Sequence, residues 1–136
     1  MSKRKARKVC VVGSSSFPLT VPVGAAVLDL LLAYPEGTVF LTRGSPGFDT
    51  FLLDACPQLG LPVEVRPSRG GAGNWDRDVA LVRESDVVIV FLDPGSLHDE
   101  NTGTSHVLDK ALDAKKRTLA YSCAGDALVY VGSSNE

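Results

Sequence analysis

DVVIVFLDPGSLHDENTGT, residues 86–104, contains a six-residue apolar run, Val87–Leu92, that stops at Asp93-Pro94-Gly95. A polar loop then leads to Gly103-Thr104, where an amphipathic segment of helical period begins. An apolar run of this length, bounded by turn residues, is the pattern of a strand buried on both faces. A buried strand that empties into a loop and then a helix start is how an open α/β sheet presents a ligand site. A second strand pattern, Lys8–Val12, ends the same way in Gly13-Ser14-Ser15-Ser16. Two such mouths in one chain predict a crevice.

Outward from these runs, short apolar segments alternate with helix-period segments, which predicts βαβ units around a parallel sheet. A helix is expected over Val21–Tyr34, with Val27, Leu28, Leu31 and Leu32 on one face, ended by Pro35-Glu36-Gly37. A strand over Thr38–Thr42 leads into Arg43-Gly44-Ser45-Pro46-Gly47. Phe48, Phe51, Leu52, Ala55, Cys56 and Leu59 then form an apolar stripe, with Gly60 as the expected helix stop. A strand over Pro62–Arg66 precedes a glycine-rich segment, and Trp75-Asp76-Arg77-Asp78 opens a helix reaching Glu84. The helix after Gly103 turns Val107, Leu108, Ala111 and Leu112 inward, and Thr118–Tyr121 is the fifth strand. Ala127–Val131 reads as one more strand, and the turn at Cys123–Asp126 is short enough to allow only an antiparallel partner. The expected fold class is therefore α/β. One three-layer domain (9–136) holds a mostly parallel five-stranded sheet with helices on both faces. The tail strand either caps a sheet edge or adds across a subunit boundary.

Composition sets outer limits. At 136 residues, 44% hydrophobic and 22% charged, the chain has the makings of one soluble domain with a real core. No apolar run approaches a membrane span and the first residues carry no secretory core, so a cytoplasmic setting is expected, with no membrane partner. Cys10, Cys56 and Cys123 are odd in number and lack metal-like spacing, so they read as core residues rather than disulfides or ligands. The formal charge of −2 conceals an asymmetry, because Lys3, Arg4, Lys5, Arg7 and Lys8 crowd residues 1–8. Nine basic groups then face sixteen acidic ones, a net of −7. Such an arm can contact nucleic acid or serve as a flexible solubilising tail. The acidic body is a poor surface for a phosphate backbone. The tail strand, and Leu30–Leu32, which cannot all face one sheet, predict self-association into a homo-oligomer.

Candidate binding residues collect at strand ends. Gly13 permits a sharp turn, and Ser14, Ser15 and Ser16 offer hydroxyls and free amides to phosphate or ribose oxygens. The run is neither G-x-G-x-x-G nor a Walker loop. Gly44-x-x-Gly47-x-Asp49 follows the second strand; Asp49 either caps helix-start amides or binds a ribose hydroxyl or amine. Arg77 suits bidentate phosphate binding or pairs with Asp76 or Asp78. Trp75 can stack on a base or cover the core edge. Gly103-Thr104 combines helix-start amides with a hydroxyl, an anion site, while Thr104 also serves as an N-cap. His106 falls outside the inward stripe, turned to the crevice or to solvent. His98, Asp99 and Glu100 are contiguous loop residues with no metal-site spacing. No metal or cofactor is expected.

Taken in order, these pieces resemble the SLOG superfamily of Rossmann-like proteins, which includes the lonely-guy cytokinin-activating enzymes and the Smf-type DNA-processing proteins. The likeness is greatest to its small stand-alone bacterial and phage members, and it spans Val9 to Tyr121. It rests on the Gly-Ser loop of Val9–Ser16, the Gly44–Asp49 pattern, Arg77-Asp78 ahead of Ser85-Asp86-Val87, and Gly103–Lys115. The resemblance implies a nucleotide or nucleotide-derived ligand at the strand C-terminal ends. Enzymes of the superfamily carry a glutamate shortly after the Gly-Thr pair; Val107 stands there in this chain and can act neither as nucleophile nor as oxocarbenium stabiliser. Binding without turnover is the leading expectation, by a sensor or sequestering module using residues 13–16, Gly44, Asp49, Trp75, Arg77, Asp93, Gly103 and Thr104. The alternative is a nucleotide N-glycosidase or phosphoribohydrolase, with Asp78 or Asp93 (or Asp99) as the displaced carboxylate. A further alternative is nucleic-acid binding through the arm.

Overall fold

Ten elements follow one another in the computed structural model, which describes residues 7–66, 73–94 and 103–134, without the side chains of 73–76, 103 and 105. They are β1 (Lys8–Gly13), α1 (Val21–Leu32), β2 (Val39–Thr42), α2 (Phe48–Gln58), β3 (Val63–Val65), α3 (Gly73–Glu84), β4 (Val87–Phe91), α4 (Gly103–Asp113), β5 (Arg117–Ala124) and β6 (Ala127–Ser134). The sheet runs β3-β2-β1-β4-β5-β6, parallel throughout except for the antiparallel β5–β6 pair. This is the α/β architecture expected from the alternation, with the tail strand capping the β5 edge. The chain builds outward from β1 to β3, then returns to lay β4 on the other side of β1. Strand order thus reverses between β1 and β4, whose register runs from Val9↔Val87 to Gly13↔Phe91.

Two apolar layers follow from the period-2 alternation of the strands. Val9, Val11, Phe40, Ile89 and Phe91 face α1 and α2, where they meet Val23, Val27, Leu31, Phe48, Leu52 and Cys56. Cys10, Val12, Leu41, Val88 and Val90 face the opposite way, against Leu81, Val82, Val107 and Ala111 of α3 and α4. Both faces of β1 and β4 are covered, which is why their sequences are uninterrupted apolar runs rather than alternating ones. All five residues of β4 are buried.

Element ends differ modestly from the pattern reading. Helix α1 stops at Leu32, two residues before Tyr34, and α3 begins at Gly73 rather than Trp75. Strands β5 and β6 reach Ala124 and Ser134, beyond the apolar runs, because hairpin pairing around Gly125 (φ 59°) extends them. Leu31 is fully buried whereas Leu32 is 47% exposed, so the leucine run does divide between two environments. Cys10, Cys56 and Cys123 are free, buried thiols. Among the described residues no helix is long and apolar enough to cross a membrane, and no cluster of metal-ligating side chains occurs. Residues 1–6 of the basic arm, and His98, Asp99 and Glu100, lie outside the described residues.

Candidate functional site

Where strand order reverses, the loops after β1 and β4 are bonded to each other. Ser14 N donates to Phe91 O at 3.0 Å, and Asp93 N donates to Ser14 Oγ at 3.3 Å. Ser16 Oγ donates to Asp93 Oδ2. Ser14 is buried, Asp93 half-buried, and Ser15 and Ser16 are exposed at the tip of a turn closed by Phe17 N to Ser14 O at 3.0 Å. Asp93, 79 residues from Ser14 and 77 from Ser16 in the chain, therefore forms one rim with them.

Glycine is required here for space at both Gly13 and Gly47. A Cβ on Gly13 would lie 2.3 Å from the Phe48 ring, and one on Gly47 would lie 2.2 Å from Ser15 O. Gly47 also has φ 85°, in the left-handed region. Phe48 stacks on Phe91 at 4.6 Å and meets Phe17 edge-on at 5.5 Å; Phe91 stacks in turn on Tyr121 at 5.5 Å. An aromatic floor thus lies directly beneath the rim, each pair adding about 0.5–1.5 kcal/mol to the burial of the rings.

Asp49 is fully buried, and its carboxylate looks back toward the strands. It accepts from Gly13 N at 3.2 Å, Ser45 N at 3.3 Å and Arg43 Nε at 3.0 Å. The cap of α2 is Gly47, with no side-chain bond to the helix start. Asp49 serves instead as a strut between the ends of β1 and β2. Arg43, also buried, donates from Nη2 to Gly13 O at 2.7 Å and to Thr104 Oγ1 at 3.4 Å. One guanidinium therefore ties β1, β2 and the first turn of α4 together.

A second ionic cluster lies between α3 and α4. His106 Nδ1 is 2.8 Å from Asp78 Oδ2, and Arg77 holds the other oxygen, with Nη2 at 3.1 Å. Their side chains are 10%, 3% and 11% exposed, so the cluster is nearly dry. His106 is neither solvent-facing nor loose: the first turn of α4 delivers it to a carboxylate in the second turn of α3. Beneath both clusters lies Cys10, whose thiol burial pushes up to about 12, while Arg43 pulls it down and Asp49 and Asp78 push it further up.

The structure thus gathers Gly13, Ser14, Ser16 and Asp93 at the rim, with Asp49 and Thr104 joined to it through Arg43. Arg77 and Asp78 form a neighbouring pair. Gly44 is exposed on the β2–α2 loop, its φ of 80° in the left-handed region. Gly103 opens α4, and the side chain of Trp75 lies outside the described residues. Val107 is fully buried in the α3/α4 layer, as its place on the apolar stripe requires. Sequence reasoning missed the roles of Arg43 and of His106 paired with Asp78. The only local signal for the first is an arginine at a strand end six residues before an aspartate; nothing local signals the second. Comparison of the chain with protein-family models, curated proteins and solved structures finds no match.

Proposed function

We propose that the chain binds a nucleotide-derived small molecule at the β1/β4 rim without turning it over, as a sensor or sequestering module. The observation that carries this reading is the rim's place in the sheet. Serine hydroxyls and loop amides stand at the C-terminal ends of the two strands between which the order reverses, where open α/β sheets hold their ligands. Ser15 and Ser16, exposed at the turn, face phosphate or ribose oxygens. The α4 start at Gly103-Thr104 supplies helix-dipole attraction for an anion. Arg43 and Asp49 neutralise each other inside, so the charge at the rim is that of the Asp93 carboxylate, which suits a ribose hydroxyl or an amine, while amides and serine hydroxyls take the phosphate oxygens. On this reading the chain is a small bacterial or phage member of the SLOG superfamily, cytoplasmic and self-associating.

The test is a thermal-shift panel of nucleoside monophosphates, nucleotide sugars, ADP-ribose and cyclic oligonucleotides. A ligand at a hundred times its Kd adds about 2.7 kcal/mol of stability. No shift with any of them at millimolar concentration overturns the proposal.

One observation favours the enzymatic alternative. A histidine oriented by a buried carboxylate is a general-base arrangement, and His106 with Asp78 has that geometry. In the N-glycosidase version, α4 must shift to bring His106 Nε2, shielded from solvent here, to the attacking water; it then takes the water's proton as the base leaves with the glycosidic electron pair. Release of free base from a nucleotide, lost in His106→Gln and Asp78→Asn, would establish turnover. Binding with no base released from any purine or pyrimidine substrate rejects it.

A further inference from the structure

Strand β6 forms one outer edge of the sheet, and among the described residues no strand lies beyond it. Alternate residues of an edge strand turn their N–H and C=O groups outward, where they template pairing with another strand. Brevity, charge or proline ordinarily blunts such an edge. The opposite edge has two of these guards: β3 is three residues long, and its Glu64 is ion-paired with Arg66 at 3.1 Å. β6 is eight residues long, with neither charge nor proline in Ala127–Ser134. A bulge at Val131, where the register passes from Tyr121↔Tyr130 to Ala120↔Gly132, leaves the run before it regular.

The side chains along this edge are apolar as well. Val129, Tyr130 and Val131 are 40–52% exposed, and Val129 and Tyr130 point to opposite faces, so both faces of the edge offer apolar surface. Helix α1 packs against β6 and carries one charge, Asp29, in twelve residues; Val21 at its start is 87% exposed. A helix apolar on nearly every side is suited to burial. The sequence outside the described residues (1–6, 67–72, 95–102 and 135–136) has Met1 and Leu97 as its large hydrophobic residues and supplies no apolar strand to lie on this edge. A second copy of the chain supplies one, β6 itself. Because β6 is uncharged, two copies meet there without repulsion. Because antiparallel pairing sets the same residues against each other, one two-fold axis closes the contact. Pairing β6 on the short, charged β3 would leave both outer edges open and run on as a filament.

We propose that β6 pairs antiparallel with β6 of a second copy, joining two six-stranded sheets into one. The two-fold axis stands normal to the sheet at Val129, which keeps like faces together. Val129 then lies opposite its own copy, and Leu128 lies opposite the partner's Tyr130. Both α1 helices lie on the same face of the joined sheet, beside the junction. This pairing rests on the self-association in the reading above and is independent of the rim's ligand.

The experiment is oxidative cross-linking of the full chain, with sedimentation velocity to read its mass in solution. The parent chain should sediment as a dimer at micromolar concentration. Val129→Cys should cross-link two copies under mild oxidation, because residues opposite one another in an antiparallel pair stand about 4.5–5.5 Å apart at Cα, within disulfide reach. The native thiols, all buried, set the background. Leu59→Cys, at a half-exposed position where α2 ends near β3 and the far edge, should not cross-link. Val129→Lys sets two ammonium groups face to face and should weaken the dimer about tenfold. Circular dichroism checks that it folds, and the cysteine variant reads the contact if it does not. A monomeric parent chain overturns the pairing together with self-association itself. An oligomer whose affinity Val129→Lys leaves unchanged, or one that Leu59→Cys cross-links as readily as Val129→Cys, overturns the pairing at β6 alone. Neither result touches the rim, whose ligand the thermal-shift panel tests separately.

Discussion

Arg43 Nε donates to Asp49 Oδ2 at 3.0 Å with both side chains removed from water, and the same carboxylate receives the Gly13 amide at the end of β1. A buried ion pair of this kind is costly to halve, because the surviving charge has no solvent. Asp49→Ala should lower stability by about 3–5 kcal/mol. Arg43→Met combined with Asp49→Leu should recover part of that loss, because the Gly13 and Ser45 amides and the Gly13 carbonyl still lose their partners. Denaturant unfolding of Arg43→Met, Asp49→Leu and the double variant measures the coupling; additive losses would show that the pair does not act as a unit.

Gly47 and Ser15 approach so closely that a methyl group cannot enter between them. Gly47→Ala, strained by its positive φ and blocked by the Ser15 carbonyl, should destabilise by more than about 1 kcal/mol. It should also displace the Ser14–Phe17 turn and weaken nucleotide-type ligands at the rim. Ligand affinity unchanged in a folded Gly47→Ala variant would separate the turn from the site.

Thr42, the last residue of β2, is fully buried and its hydroxyl has no hydrogen-bond partner. Replacing an unsatisfied buried hydroxyl by a methyl group of the same shape removes a desolvation penalty. Thr42→Val should therefore raise stability by about 1 kcal/mol, read as a higher denaturant midpoint at unchanged m-value. A loss of stability would mean that the hydroxyl is satisfied in solution.

Burial pushes the Cys10 thiol up to about 12 and the Cys56 thiol up to about 11, from an ordinary 9.0. Both stay protonated in the folded chain while the unfolded chain ionises, so stability is complete below pH 9 and declines as pH rises through 9 toward 11–12. The loss should be about 1 kcal/mol per thiol near pH 10. Thermal unfolding across this range should show the decline, and Cys10→Ala with Cys56→Ala should flatten it.

At the acid end, Arg66 holds Glu84 below its usual carboxylate range, chiefly by hydrogen bonding. A lowered carboxylate contributes stability above its unfolded value and loses it as pH falls through the folded one. Both side chains are about a third exposed, so solvent and salt screen the pair, and Glu84→Gln should cost only about 0.2–1 kcal/mol at neutral pH. The difference between variant and parent should vanish in strong acid and shrink with added salt.

The β strands and their direction were legible because burial on both faces leaves an uninterrupted apolar run, and β1 and β4 are such runs. The helices were legible from stripes such as Phe48, Leu52 and Cys56, and the β5–β6 hairpin from the shortness of its turn. The rim was legible in part, since Gly13–Ser16 and Asp93 each follow an apolar strand. The purpose of Asp49 was not, because a carboxylate near a helix start reads as a cap whether or not the chain folds a strand end over it. His106 showed the same limit: two residues from Thr104, it has no sequence relation to Asp78, 28 positions earlier.

Local pattern, then, determined the elements, the parallel sheet and the residues at strand ends, since period and turn chemistry act over a few residues. Only the tertiary structure decided that strand order reverses between β1 and β4, that Arg43 and Asp49 are neutralised within the protein, and that Asp78 meets His106. Those facts depend on which strand lies beside which. Hydrogen bonds between distant segments set that arrangement, and no short window of sequence contains them.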